Sequence, residues 1–372
     1  MSVALVNVTL ELAGGGEKLT LDMSKALEEL GFDVTVYTYC SSIESVEKTL
    51  KLLSPNYRPR VVAKSLPSWY KVLEGVVSGR FVRFRRLALV EKLLNEVKRD
   101  SKLLIDVSSN APTKADVVYV HYPALLPSGR SSLHWKLYDG LIKFIGNRVY
   151  GEPRLVLANS SWTLTKFKDL YGDRFKLEVL HPCIDPEFFM KHAEKRGDMI
   201  ITISRFSPEK NLEGIIYVAR EMPEFKFYLV GSSGRYSRKV IERLRSLMSG
   251  LNVKNVTMLT NVPRGEVKEL LSKAAFYLHP PFPEHFGIAV VEAIASGCIP
   301  IVYADGGVWT DITSRIDQSL GYHSIVDVPR IIREIISEGK TEELRGKALM
   351  IAREFTFEKF KEKLENIMGL VA

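Results

Sequence analysis

Two carboxylates, Glu284 and Glu292, stand eight positions apart in PPFPEHFGIAVVEAIASGCIP, residues 280–300. Such a pair invites a reading as the acid and base of a hydrolase, and spacing argues against it. Eight residues of continuous helix rise about 12 Å, whereas hydrolytic carboxylate pairs sit about 5 to 9.5 Å apart. Pro280, Pro281 and Pro283 constrain the preceding loop, because proline fixes its own φ and pushes its predecessor out of helical space. A helix is therefore expected to begin near Gly287, with Ile288, Val291 and Ala295 on its apolar face and Gly297 as its stop. Glu284 then lies on a loop and Glu292 inside the helix. Between them comes a helix N-terminus, whose free N–H groups and dipole favour an anion. The pair reads as two grips on one elongated ligand, Glu292 toward a ribose diol and Glu284 toward a sugar beyond the phosphates. The alternative, from the pair alone, is two solvated acids.

Other residues could complete such a site. After IITIS comes Arg205-Phe206-Ser207-Pro208-Glu209-Lys210-Asn211. Arg205 could fork onto a diphosphate and Lys210 add a point charge, or both are surface cations. Gly14, Gly15 and Gly16 follow the first apolar run by several residues, so they form no G-x-G-x-x-G fingerprint. They can cradle phosphate through backbone amides, or form an ordinary turn. His121 ends ADVVYV and precedes Tyr122-Pro123, where it could offer a hydrogen bond in a cleft or serve structure alone. No D-x-D occurs anywhere. A metal is accordingly not expected, and the cations are expected to do its work.

The elements that must position these residues alternate twice along the chain. SVALVNV, DVTVYTY, LLIDV, ADVVYV and RLVLA read as strands, with helices expected from about 17 to 30 and near 80–99, 132–149 and 161–171. A second set runs IITIS, FKFYLV, NVTML, AFYLH and IPIVY. The prolines of His181-Pro182-Cys183-Ile184-Asp185-Pro186 mark a linker. The fold class is α/β, with two Rossmann-like doubly wound domains over 1–185 and 186–356 and ligands at the carboxyl ends of the strands.

Composition agrees. At 372 residues and 46% hydrophobic, the chain can build two cores. It shows no 18-residue apolar run and no leader pattern before Val3. Cys40, Cys183 and Cys298 are too few and too scattered for a disulfide frame or a zinc site. A cytoplasmic setting is expected. The net charge of +8 is concentrated in residues 58–102, which hold twelve Lys or Arg against Glu74, Glu91, Glu96 and Asp100. With Trp69, Tyr70, Phe81 and Phe84 this segment could lie on an anionic membrane as a peripheral contact. The alternative is a solvated helix whose apolar stripe faces the core. A nucleic-acid partner is not expected, since no binding motif accompanies the charge.

In order along the chain, GGGEK, YVHYP, NSSWT, HPCID, SRFSPEKN, EHFGIAVVE and DGG together resemble the retaining family 4 glycosyltransferases of GT-B architecture. Within that family they are most similar to the α-1,2-mannosyltransferases that elongate dolichol-linked oligosaccharide. FTFEKFKEKLENI is similar to the closing helix that packs back on the N-terminal domain, here 357–372. The resemblance implies roles. Gly15 and Gly16 approach the diphosphate, and Arg205 and Lys210 neutralise it as it leaves. His121 and Glu284 contact the transferred sugar, while Phe286, Gly287 and Ile288 present amides. Glu292 holds the ribose, and Asn261 and Val262 border the base. It implies no cofactor beyond the donor, GDP-mannose favoured and a UDP-sugar the alternative, and a saccharide or polyprenyl-linked acceptor. A sugar-nucleotide epimerase, a phosphorylase and a non-catalytic binding protein remain open on the same architecture; the intact Glu284, Glu292, Arg205 and Lys210 speak against the last. Val308 and Trp309 follow Asp305-Gly306-Gly307 where the family commonly has proline and a polar residue, which leaves the hexose open.

Overall fold

In a computed structural model, the structure describes residues 1–11, 13–70, 72, 82–98, 101–124, 132–149, 151–189, 197–234 and 237–370. The chain divides into two compact units, Met1–Cys183 with Phe357–Ala372, and Ile184–Thr356.

The first unit carries seven parallel strands: β1 (Ser2–Thr9), β2 (Asp33–Cys40), β3 (Val61–Ser65), β4 (Leu103–Asp106), β5 (Val117–Val120), β6 (Leu155–Ala158) and β7 (Leu177–Val179). Their order is β3-β2-β1-β4-β5-β6-β7, so the sheet reverses direction of growth between β1 and β4. The run Val3 to Val6 is buried on both faces, as a sheet covered by helices on each side requires. One face packs the helix Gly15–Glu29 through Leu19, Met23 and Leu27, with Phe360, Leu364 and Ile367 of the closing helix Phe357–Met368 in the same cluster. The other face packs the helix Val82–Val97 through Leu87, Val90, Leu93, Leu94 and Val97. That helix lies in the basic segment 58–102, of which residues 71, 73–81 and 99–100 fall outside the described residues. Its described apolar side chains are spent on the core, as the core-facing reading requires.

The second unit holds β8 (Met199–Ile203), β9 (Lys226–Gly231), β10 (Val256–Thr260), β11 (Phe276–Leu278), β12 (Ile299–Tyr303) and β13 (Gly321–Tyr322). The order β10-β9-β8-β11-β12-β13 reverses between β8 and β11. Ligand crevices of open α/β sheets form at such reversals.

Three strands escape the sequence pattern. The edge strands β3 and β7 are half-exposed and short, and β13 has two residues. Helix bounds differ little: the first helix starts at Gly15 rather than Glu17, and the helix Ile288–Ala295 follows Gly287 as expected. Gly297 is left-handed at φ 84°, which suits glycine just past a helix end. Asn255 donates to the carbonyls of Ala219, Met222 and Phe225 at 2.9 to 3.0 Å. The three cysteines are buried and form no disulfide.

Candidate active site

In the second unit the site grows from the reversal. Thr202 Oγ1 donates to the Leu278 carbonyl at 2.6 Å and Tyr277 Oη to the Ile203 carbonyl at 3.0 Å, which ties the ends of β8 and β11 together. Past β8 the chain turns through Ser204 and Arg205 into the short helical turn Pro208–Lys210, closed by Asn211 at φ 46°. Past β11 it passes His279 and the prolines to Glu284. Lys210 Nζ donates to Glu284 Oε2 at 2.9 Å and sits 4.0 Å from the centre of the Phe282 ring.

His279 completes this group, and sequence reasoning passed over it. Only 4% exposed, it places Nε2 3.6 Å from Glu284 Oε2 and leaves Nδ1 buried without a hydrogen-bond partner. Its main chain is fixed at both ends, N–H to the Ile301 carbonyl at 2.9 Å and carbonyl from Tyr322 Oη at 2.6 Å. Burial alone would raise the Glu284 pKa; the His279 imidazole 3.6 Å away and the Lys210 charge outweigh it and hold the carboxyl well below its ordinary 4.5. Burial also pushes His285 down, against the pull of Glu284. The cue for His279 was its position at the end of the strand beside the reversal.

The Glu284 loop is seated by glycines. Glu284 forms a parallel bridge with Gly306, which has φ 95°. A Cβ at Gly306 would lie 2.3 Å from the Glu284 carbonyl oxygen and 2.7 Å from its nitrogen. Gly287, at φ 90°, caps the helix Ile288–Ala295 without any side-chain acceptor, so its first-turn amides are not capped by the N-cap residue. Trp309, the departure after Asp305-Gly306-Gly307, lies against Gly321, where a Cβ would fall 2.5 Å from its ring.

Glu292 stands apart from this cluster. It is buried, and Oε1 accepts from Arg264 Nη2 at 2.7 Å, the same nitrogen that donates to Asp185 Oδ2 at 2.7 Å. Arg264 also lies 4.8 Å over the Phe188 ring. Glu292, read as the grip on a ribose diol, is thus already ion-paired, because an uncompensated carboxylate inside the helix layer would be costly. Arg205, in contrast, is largely exposed, with Glu209 Oε1 at 4.0 Å its near carboxylate. Asn261, at φ 55°, brackets the turn after β9: Nδ2 donates to Ser233 Oγ at 2.6 Å and Oδ1 accepts from Ser233 N–H at 2.9 Å. That turn starts at Gly231, where a Cβ would sit 1.8 Å from the Ser204 carbonyl oxygen. Val262 packs partly buried against the core.

The first unit's residues assemble separately, at the reversal between β1 and β4. The glycines open the helix Gly15–Glu29, with Gly14 at the N-cap and its N–H donating to Glu17 Oε2 at 3.0 Å. A Cβ on Gly16 would be 3.6 Å from His121 Nε2. His121 Nε2 lies 3.2 Å from the Val107 carbonyl, and its backbone is clamped by two asparagines. Asn110 Oδ1 accepts from the N–H groups of His121 at 2.6 Å and Tyr122 at 3.2 Å; Asn159 Nδ2 donates to the His121 carbonyl at 3.1 Å. Among the described residues no three His, Cys, Asp or Glu side chains converge on a point.

Comparison with known proteins follows this division. Residues 13–188 match the profile of Glycosyltransferase Family 4, and residues 185–343 that of Glycosyl transferases group 1. The chain carries a glycosyltransferase domain in each half. A Dictyostelium discoideum GDP-Man:Man(3)GlcNAc(2)-PP-Dol alpha-1,2-mannosyltransferase is 28% identical over 62% of this chain and 54% of its own length. The Homo sapiens protein of that name is 31% identical over 47% and 39%. The chain therefore spans about half or less of the length of these relatives. A Mus musculus alpha-1,3/1,6-mannosyltransferase is 25% identical over 94% of the chain and 92% of its own. Among solved structures, Anabaena HepE in complex with UDP and glucose superposes with TM-score 0.73, 17% identity and 99% coverage of both chains. Sucrose-phosphate synthase from Thermosynechococcus elongatus gives 0.74 at 14% identity, over 99% and 98%. These likenesses show the GT-B fold.

Of the residues singled out from the sequence, the second unit brings Lys210 and Glu284 into contact and adds His279. The first unit brings Gly16 beside His121. Asn110, Asn159 and Arg264 were not singled out, because their roles are contacts across long sequence separations.

Proposed function

We propose that the chain is a retaining glycosyltransferase that moves a hexose, mannose favoured, from a nucleotide diphosphate sugar to a saccharide or lipid-linked saccharide. The observation that carries the reading is the Lys210–Glu284–His279 cluster at the β8/β11 reversal, beside an uncapped helix start. Breaking the anomeric C–O bond leaves an oxocarbenium-like sugar and a diphosphate of growing negative charge. Lys210, held in place by Glu284, would stabilise that charge without reorganising, and the exposed Arg205 would turn toward it to add a second cation. Glu284, kept ionised, would accept hydrogen bonds from sugar hydroxyls, with His279 fixing the orientation of its carboxylate. Arg264 would fix Glu292 so that its remaining oxygen meets the ribose diol.

In the first unit Gly15 and Gly16 would offer amides to the diphosphate and His121 a hydrogen bond to the transferred sugar. With no protein base assigned, the departing phosphate would take the acceptor's proton on the face it leaves. GDP-mannose is favoured because the mannosyltransferase relatives are named for it.

A thermal-shift panel of GDP- and UDP-sugars tests the donor, since a ligand that binds only the folded state raises the midpoint. Stabilisation by GDP-mannose and release of GDP on adding a mannoside acceptor are expected. No shift with any nucleotide sugar would overturn the reading, and donor turnover without transfer to acceptor would favour an epimerase or phosphorylase.

A further inference from the structure

We infer that Tyr122 and Trp162 of the first unit form a stacking platform for a pyranose ring of the saccharide acceptor, with Lys166 at its rim. Their rings lie 6.3 Å apart with planes 17° from parallel, an offset stack of ordinary geometry. Tyr122 stands just past β5 and Trp162 just past β6, at the carboxyl edge where open α/β sheets bind ligands. Both rings are half-buried, and neither belongs to an apolar cluster of the unit. In the other described pairs of Phe, Tyr and Trp rings, at least one ring lies in or packs against a core. The helix Ser161–Tyr171 shows how this comes about. Thr163, Phe167 and Tyr171 are its buried residues, a step of four apart, and Trp162 and Lys166 form the neighbouring stripe.

The pair is braced along its backbone. Asn110 Oδ1 accepts from the Tyr122 N–H at 3.2 Å, and Asn159 Nδ2 ties the end of β6 to the His121 carbonyl at 3.1 Å. Ser160 Oγ accepts from the Thr163 N–H at 3.1 Å and so fixes the helix turn that carries Trp162. Rings held in this way lose little freedom when a ligand arrives. Their chemistry selects the occupant. One face of a pyranose presents C–H groups that pack on a π surface, and its rim carries hydroxyls that accept hydrogen bonds from an ammonium. A purely apolar partner would leave the Lys166 charge unanswered, and an anion would be repelled by the electron-rich ring faces. Lys166 Nζ lies 5.5 Å from the centre of the Trp162 ring, a cation–π contact. A sugar laid on that ring takes its place, and the flexible stem lets the ammonium follow onto hydroxyl oxygens. The inference rests on the transferase reading for why a saccharide comes to this edge.

Saturation-transfer NMR of α-mannotriose with the full chain tests the platform without donor; the names of the mannosyltransferase relatives suggest the probe. The wild type is expected to transfer saturation chiefly to the C–H protons of one pyranose, and Trp162→Ala to lose most of that signal. In steady-state transfer, Trp162→Ala should raise the acceptor KM about tenfold and Tyr122→Ala about threefold. The melting shift given by the nucleotide sugar should stay as in the wild type. Should Trp162→Ala fail to fold, Trp162→Phe keeps a ring on the helix. It should raise the KM only slightly and abolish the tryptophan-fluorescence quench that mannotriose causes in the wild type. Absence of mannotriose binding by the wild type, or an unchanged acceptor KM and quench in the folded variants, overturns the proposal. So does a parallel loss of the donor shift, which would give the ring pair to the donor or to the fold. Mannotriose bound through Trp162 in a chain that no nucleotide sugar stabilises would instead sink the transferase reading and leave the platform standing.

Discussion

Each unit holds a carboxylate near the reversal of its sheet, and the two are driven in opposite directions. In the first unit Asp106, at the end of β4, is fully buried and accepts from the N–H groups of Ser108 and Ser109 and from Thr113 Oγ1 at 2.9 to 3.0 Å. Its pKa is raised, because desolvation exceeds what those neutral donors return. In the second unit Glu284 is lowered, because Lys210 and His279 more than offset the same penalty. Neutral donors make a turn; a counter-charge makes a group that stays ionised and can answer a charged ligand. The same contrast runs through the neighbours, with Asn110 and Asn159 clamping His121 in one unit and Arg264 bridging Asp185 and Glu292 in the other.

The sharpest way to break this contrast is to remove the counter-charge. Lys210→Ala should lower kcat about a hundredfold or more, the cost of one preorganised donor being about 2.7 to 4 kcal/mol; Arg205→Ala, which removes an exposed cation, should cost less. Steady-state kinetics with the donor identified by thermal shift measures both, and a near-normal Lys210→Ala enzyme would remove the cluster from the mechanism. Next in size, Arg264→Ala leaves Glu292 buried without its partner and should destabilise the fold by up to about 3 kcal/mol, read from denaturant unfolding. Arg264→Lys should recover part of this, since the single Nη2 meets both carboxylates and an ammonium can do the same, and should still raise the donor KM because the planar stack on Phe188 is lost.

The third test is pH. The Glu284 pKa is depressed on folding, so its contribution to stability is fully present above its ordinary 4.5 and is lost as pH falls from there toward the folded value. Melting midpoints of the wild type should therefore drop more steeply in acid than those of Glu284→Gln; parallel curves would mean the carboxylate is not held as described. Smallest of all, Asn110→Gly keeps the left-handed backbone, φ 59°, and deletes two hydrogen bonds to the His121 turn. At about 1 kcal/mol net for each bond, a loss of several-fold in kcat with unchanged donor affinity is expected.

Much of the architecture could be read from local pattern, because buried parallel strands announce themselves as apolar runs and the helix after Gly287 is bounded by its own glycines. The pairing of Lys210 with Glu284 could be suspected from residue type but not located, since 74 positions separate them. His279 was hidden by its setting: AFYLHPP reads as a strand running into prolines, and only the order of the strands puts its end at the crevice. Glu292 shows the opposite difficulty. Its spacing from Glu284 was legible, yet the partner that holds it comes from the helix Arg264–Lys273, and no local signal ties PRGE to it. The edge strand β13 was missed because two residues are too few to show a period.

The seat of Gly306 under the backbone of Glu284 bears on anyone who wishes to redesign this loop pair. The two loops are separate in sequence but form one mechanical part, since neither can shift without the other. A grafted 305–309 loop would have to arrive together with its matching 280–287 loop, and libraries that vary one while freezing the other would mostly sample broken seats.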